Sequence, residues 1–287
     1  MGDKIQEEIM DLPDDWWRYT STCQILSDWF IRHLLGLFLS LDEGGQIRHG
    51  VLTGFLLHYQ DILLWVTAGH VIDGIDEILS NPNIKVLRMH WLDGCEIPGA
   101  ESIPVHNRNL KTFSTFKSDG IDFGMAAITG LDAENILRND RVQVMTEQIW
   151  KNLHLAQPEG YYILGFPEEW FNVQEDHLPD NRILGSAQAN LACLPVKRIE
   201  YRGPSDTKEF WSDPGAFYGK VLPFADELDQ QPKNITGMSG GPVFSIERTT
   251  AGILYRLVGI QRSQDKDERL IRAEPIQRVI KIMKGGV

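Results

Sequence analysis

The run Ile62-Leu63-Leu64-Trp65-Val66-Thr67-Ala68-Gly69-His70-Val71 decides how the chain is read. Residues 62–67 are apolar and rich in β-branched and aromatic side chains, which is strand chemistry, and residues 68–72 read as a tight turn straight after them. The same grammar repeats on both sides. Upstream, 35–41 and 47–57 flank the turn-forming Asp42-Glu43-Gly44-Gly45 and predict a β-hairpin. Downstream, further short strands are expected at 85–91, 101–105, 123–128, 141–145, 161–164, 182–194, 217–222, 243–246, 253–261 and 270–273. Short strands separated by Gly, Pro and Asp indicate an all-β sandwich or pair of barrels. No GxGxxG or GxxxxGK[ST] follows a strand, so nucleotide-binding folds are set aside.

Two stretches depart from this pattern. CQILSDWFIRHLL, from Cys23 to Leu35, spaces its apolar residues as a packed helix does. At the other end Pro275 opens a run in which Ile276, Val279, Ile280 and Met283 recur at helical spacing before Gly285-Gly286, predicting a closing amphipathic helix. The expected organisation is an acidic extension with a short helix over 1–32, a first β-barrel over 33–138, a second over 139–274 and the helix over 275–287. Between 165 and 236 acids such as Glu168, Glu169, Asp213 and Asp226 alternate with Trp170, Phe171 and Trp211, which reads as strands carrying enlarged acidic loops.

Composition narrows the function classes. The 287 residues carry 40 acids against 28 lysines and arginines, a formal charge of -12, which opposes the broad positive surface needed for nucleic acid. Cys23, Cys95 and Cys193 are scattered and form no CxxC pair, so they read as small buried hydrophobes rather than a disulfide frame or thiolate metal site. The amino terminus sets Asp3, Glu7, Glu8 and Asp11 where a secretory signal would be basic and then apolar, and no run has the ~18 apolar residues of a membrane span. The expectation is a soluble, cytoplasmic protein with no membrane or nucleic-acid partner, no cofactor and no metal.

Three motifs could carry chemistry. In Gly237-Met238-Ser239-Gly240-Gly241-Pro242, small neighbours let Ser239 Oγ stand clear, and the turn can aim the N–H groups of Gly237 and Ser239 at one point, as an oxyanion hole requires. His70, just past an apolar strand and braced by small residues, suits a general base. Asp122 opens the apolar stretch Phe123-Gly124-Met125-Ala126-Ala127-Ile128 and could hold an imidazole's tautomer, with Asp119 as the alternative acid.

The order His70, Asp122, Ser239 is the chymotrypsin-type order. The chain here resembles the trypsin-like serine peptidases, in particular the disulfide-free bacterial branch that includes HtrA/Deg-type proteases and glutamyl endopeptidases. Thr67-Ala68-Gly69-His70-Val71 is similar to the T-A-x-H-V that follows a strand in that family. Asp122-Phe123-Gly124-Met125-Ala126 is similar to its D-[IFL]-A-[LV]-L, and Gly237 to Pro242 to its G-[DN]-S-G-G-P. Thr53-Gly54-Phe55, Leu164-Gly165-Phe166-Pro167 and Leu257-Val258-Gly259-Ile260 agree with it, and the likeness spans roughly residues 33 to 284.

The resemblance implies the chymotrypsin fold of two six-stranded Greek-key barrels, here without a PDZ domain. It implies a serine endopeptidase with His70, Asp122 and Ser239 catalytic and the Gly237 and Ser239 amides as oxyanion hole. Met238 stands where vertebrate-type zymogens carry an acid, so activation by a newly released amino terminus is not expected. The pocket walls should come from 231–238 and 259–263. Gln261 falls where glutamyl endopeptidases carry a histidine, and Lys233 and Arg262 are candidates for favouring an acidic side chain before the cleaved bond; a neutral polar or small one is the alternative. The expected partners are a polypeptide substrate and a gating protein. The rival reading is a latent trypsin-like barrel acting as a binding or regulatory module.

Overall fold

A computed structural model describes residues 14–93, 103–105, 113–116, 121–151, 153, 157–177, 183–203, 209–226, 231–250 and 252–285. The architecture is all-β, as expected, with every paired strand antiparallel. In the first half, β1 (Leu35–Glu43), β2 (Gln46–Leu52), β5 (Ile84–Asp93) and β6 (Ile103–Pro104) form one sheet in the order β2-β1-β5-β6. A second sheet runs β3-β4-β8-β7, from β3 (Phe55–Tyr59), β4 (Ile62–Thr67), β7 (Phe113–Phe116) and β8 (Phe123–Ala127). The expected single strand over 47–57 is therefore two. The chain leaves β1 at Thr53-Gly54 and joins β4 instead, with Leu35 N–H bonded to Gly54 O at 3.0 Å and a bridge from Leu34 to Phe55 tying the sheets.

The second half closes. Strands β9 (Gly160–Gly165), β12 (Ala192–Arg198), β13 (Phe217–Val221), β16 (Leu270–Pro275), β15 (Gly252–Asp265) and β14 (Pro242–Thr249) pair in that order, and β14 returns to β9. Part of the acidic stretch folds as a separate hairpin, β10 (Phe171–His177) with β11 (Ile183–Ala189). The single strand expected over 182–194 thus divides between hairpin and barrel. The expected strand at 141–145 contributes only a bridge from Met145 to Leu57.

The helices reflect apolar spacing. Helix α1 (Thr20–Phe30) packs one face, Cys23, Leu26 and Phe30, against the barrel's hydrophobic core, with Phe30 stacked on Phe244 at 4.6 Å. It is entered through Trp16, whose indole N–H donates to Glu159 at 2.6 Å, and its first turn is held by Asp226, which accepts from Thr20 N–H and Oγ1–H at 2.8 Å each. The turn expected at 68–72 is instead the first turn of α2 (Gly69–Ser80), because Val71, Ile72 and Ile75 recur on one face and bury it. Helix α3 (Gly130–Arg138) follows β8, and α4 (Ile276–Met283) packs Ile276, Val279 and Ile280 inward, as its spacing predicts. Cys23 and Cys193 are buried free thiols, and burial pushes Cys23 up to about 12. Cys95 lies outside the described residues, and so does most of the acidic amino terminus.

Candidate active site

The β4–β8 pairing sets Thr67 opposite Gly124, so the residues just beyond β4 and just before β8 converge. His70 is in the first turn of α2 and Asp122 precedes β8 by one residue. One carboxylate grips the histidine twice: Oδ1 accepts the His70 backbone N–H at 3.0 Å, and Oδ2 accepts Nδ1–H at 2.9 Å. With Nδ1 donating, Nε2 carries the lone pair, as a general base needs. Burial alone would raise the Asp122 carboxyl, but the hydrogen bond and charge of His70, its backbone N–H and the nearby Arg262 guanidinium outweigh it and hold the group below its ordinary value. The amino end of α2 adds favourable dipole potential. The approach leaves no room at position 69, where a Cβ would stand 2.5 Å from Asp122 Oδ1. Asp119, the alternative acid, lies outside the described residues.

The Ser239 turn is shaped by its carbonyls. In a trans peptide the C=O and the N–H of the next residue point opposite ways. Thr236 O accepts from Glu168 N–H at 2.8 Å, which turns Gly237 N–H to the other side; Met238 O accepts from Gly241 N–H at 2.9 Å, which does the same for Ser239 N–H. Among the described hydrogen bonds, neither Gly237 N–H nor Ser239 N–H has a partner. Two N–H groups without partners on a serine's own turn are the kind of donors an oxyanion hole would use. Met238 is fully buried and packs on Gly165, so it anchors the turn through the apolar core.

Thr53 brings the halves of the site together. This fully buried threonine accepts Phe166 N–H at 3.0 Å and donates to Gly237 O at 2.7 Å, while its own carbonyl accepts Thr67 Oγ1–H at 2.7 Å. The same spot carries Gly240, at φ +94°, where a Cβ would run into Thr67 Oγ1 and Thr53 O. Ser239 is thus pinned against the strand that leads to His70, although no hydrogen bond among the described residues joins His70 Nε2 to Ser239 Oγ. In the sequence Thr53 stands out only as part of Thr53-Gly54-Phe55, inside what reads as a single strand, and nothing local marks it as this junction.

The three candidate pocket residues part company. Gln261 lies against the Ser239 turn, its N–H donating to Gly241 O at 2.8 Å and its C=O accepting Gly240 N–H at 2.7 Å. Its side chain is buried and its Oε1 has no hydrogen-bond partner. Lys233 is exposed and meets the loop through its backbone N–H, which donates to Glu169 Oε1 at 2.6 Å. Arg262 corrects its expectation. A register shift between Gln261 and Ser263 makes it the extra residue of a bulge, and its guanidinium turns into a buried cluster, 3.2 Å from Glu274 and 3.7 Å from Asp213, which Arg278 completes from α4 at 3.0 and 2.7 Å. A guanidinium held by two buried carboxylates is not available to an acidic substrate side chain. Among the described residues no group of three or more His, Cys, Asp or Glu could hold a metal ion, and no helix is long and apolar enough to cross a membrane.

No family model matches the chain, and no curated protein matches it. Similar solved structures exist. The active form of the Rv3671c protease from M. tuberculosis aligns over 88% of this chain and 79% of its own, at 11% identity and a TM-score of 0.42. The protease Anisep from Arthrobacter nicotinovorans aligns over 86% and 93%, at 15% identity and a TM-score of 0.40. Catalytically inactive tobacco etch virus protease complexed with substrate aligns over 91% and 87%, at 10% identity and a TM-score of 0.37. All three are proteases. At these identities none assigns a role to a residue of this chain.

Proposed function

We propose that the protein is a serine endopeptidase working through an acyl-enzyme. His70 Nε2 takes the Ser239 proton as Oγ adds to a peptide carbonyl, and Asp122 holds the imidazole and offsets its charge. The Gly237 and Ser239 amides receive the oxyanion, each worth about 3 kcal/mol in comparable sites. His70 then protonates the leaving amine, and water attacks the ester by the same steps in reverse. The observation that supports this reading is the pair of N–H groups at Gly237 and Ser239 that lack a partner among the described hydrogen bonds, on a turn that Thr53 ties to Thr67 in the strand leading to His70.

A second reading, a latent barrel that a protein partner switches on, draws on the missing His70–Ser239 hydrogen bond. Against it stands the preformed donor pair, and catalytic hydrogen bonds are often long until substrate is bound. Intact-mass analysis after exposure to a fluorophosphonate tests the proposal. One adduct on the wild type, lost in Ser239→Ala and in His70→Ala, is expected. A folded wild type that takes no adduct overturns it in favour of the latent barrel.

A further inference from the structure

A second segment, Phe166 to Glu169 just after β9, runs against the turn that carries Ser239. A Cβ on Gly237, whose φ is +94°, would stand 2.7 Å from Phe166 O and 2.9 Å from Glu168 N. The polar groups of the two segments engage in order. Glu168 N–H donates to Thr236 O at 2.8 Å. One residue on, the Glu169 carboxylate takes two consecutive backbone N–H groups: Oε1 accepts from Lys233 at 2.6 Å and Oε2 from Asn234 at 3.2 Å. Asn234 passes the hold along, since its Oδ1 accepts Thr236 N–H at 3.0 Å and Thr236 Oγ1–H at 2.7 Å. Ile235, between them, buries its side chain in the barrel core. Residues 233–236 are thus fastened to the core on one side and to a carboxylate on the other.

An ionised acceptor holds N–H groups more strongly than a neutral one, and a two-pronged hold fixes orientation as well as distance. The orientation of the Thr236–Gly237 peptide decides where Gly237 N–H points. Met238 is apolar and fully buried and brings no charge to that peptide. Among the described hydrogen bonds, the carboxylate that reaches the run before it is Glu169. Resting on the hydrolytic reading above, we propose that Glu169 is a positioning residue for the oxyanion hole: by clamping the N–H groups of Lys233 and Asn234 it keeps Gly237 N–H directed at the developing oxyanion. Glu169 acts through the turn and not on the substrate. It is exposed, so its side chain can be removed without opening the core.

The test has two arms, both comparing the full chain with Glu169→Ala and Glu169→Gln. In the first, hydrogen exchange read by mass spectrometry should quicken about tenfold over 231–238 in Glu169→Ala while 242–249 in β14 keeps its rate. Glu169→Gln keeps one of the two acceptors and should fall between. In the second, the maximal rate of fluorophosphonate labelling at Ser239 should drop about ten- to a hundredfold in Glu169→Ala, with the half-saturating probe concentration within about twofold. A merely structural role would quicken exchange in β14 as well and would not separate rate from saturation. Unchanged exchange over 231–238 overturns the clamp, whatever the labelling does. Faster exchange there with an unchanged labelling rate overturns the positioning role and leaves the hydrolase reading standing. No labelling of the folded wild type, with exchange over 231–238 still faster in Glu169→Ala, overturns the hydrolase reading and keeps the clamp.

Discussion

Ser239 and His70 are held by different means. The serine sits on a turn of the closed barrel whose carbonyls at Thr236, Gly237 and Met238 are all occupied, with Gln261 bonded to both glycines that follow. The histidine projects from a half built of two four-stranded sheets, and among the described residues its ring has one side-chain hydrogen bond, to Asp122, while 45% of the side chain remains exposed. A barrel has no free edge, so backbone bonds can lock the donors of the proposed oxyanion hole in advance. A base that must swing a proton between serine and leaving group gains from a hinge-like hold. Thr53 is where the two meet, since it bonds Phe166 and Gly237 on one side and Thr67 on the other.

That contrast predicts a ranking. Asp122→Asn removes the one side-chain hydrogen bond on the ring among the described residues and presents an N–H to Nδ1, so kcat should fall about 10⁴-fold with an unchanged circular dichroism spectrum; a loss under tenfold would mean the open half holds His70 by something other than Asp122. Gly240→Ala strikes the junction from the barrel side. Its methyl meets Thr67 and Thr53 at a φ of +94°, and chemical denaturation should register a loss of about 2–4 kcal/mol, together with slower fluorophosphonate labelling. Thr53→Val, nearly isosteric, strands Gly237 O and Phe166 N–H. It should cost about 1–3 kcal/mol in the same denaturation experiment and slow labelling, whereas an unchanged labelling rate would show that the barrel sets the donors without help from the other half.

The mildest effect concerns His33, a buried strut whose Nδ1 contacts Gln143 O at 2.9 Å and whose Nε2 contacts the Tyr255 hydroxyl at 3.0 Å. Burial holds its pKa below the ordinary value despite the Gln143 carbonyl, so the unfolded chain binds a proton before the folded one does. Its stability is whole above about pH 6.5 and declines as the pH falls from there toward the folded pKa. The melting temperature should drop across that window, and less steeply in His33→Gln, which cannot take up the proton.

Much of the candidate site is legible in the sequence. The apolar strand ending in Thr67-Ala68-Gly69-His70, the aspartate ahead of Phe123 and the glycine-flanked Ser239 each state a local requirement in residue type alone, and β4, β8 and the closing helix α4 lie close to where spacing predicts them. The extra length of α2 was written in Val71, Ile72 and Ile75 but masked by the glycines at 69 and 74. Arg262 could not be read in advance. Whether an arginine in a strand faces substrate or core depends on a one-residue bulge and on Glu274, Asp213 and Arg278 arriving from three other segments.

By itself the sequence determined the β pattern, the three chemical motifs and their order along the chain, because strand periodicity and turn chemistry act over a few neighbouring residues. Only the tertiary structure decided which partners those residues meet: Thr53 joining the Ser239 turn to the His70 strand, Thr236 and Met238 carbonyls each engaged while the following amides are left without partners among the described hydrogen bonds, Gln261 left with an unanswered acceptor and Arg262 drawn into a buried ion cluster. Those outcomes depend on contacts between segments far apart in the chain, and burial, hydrogen-bond satisfaction and charge pairing have no values until the segments are packed.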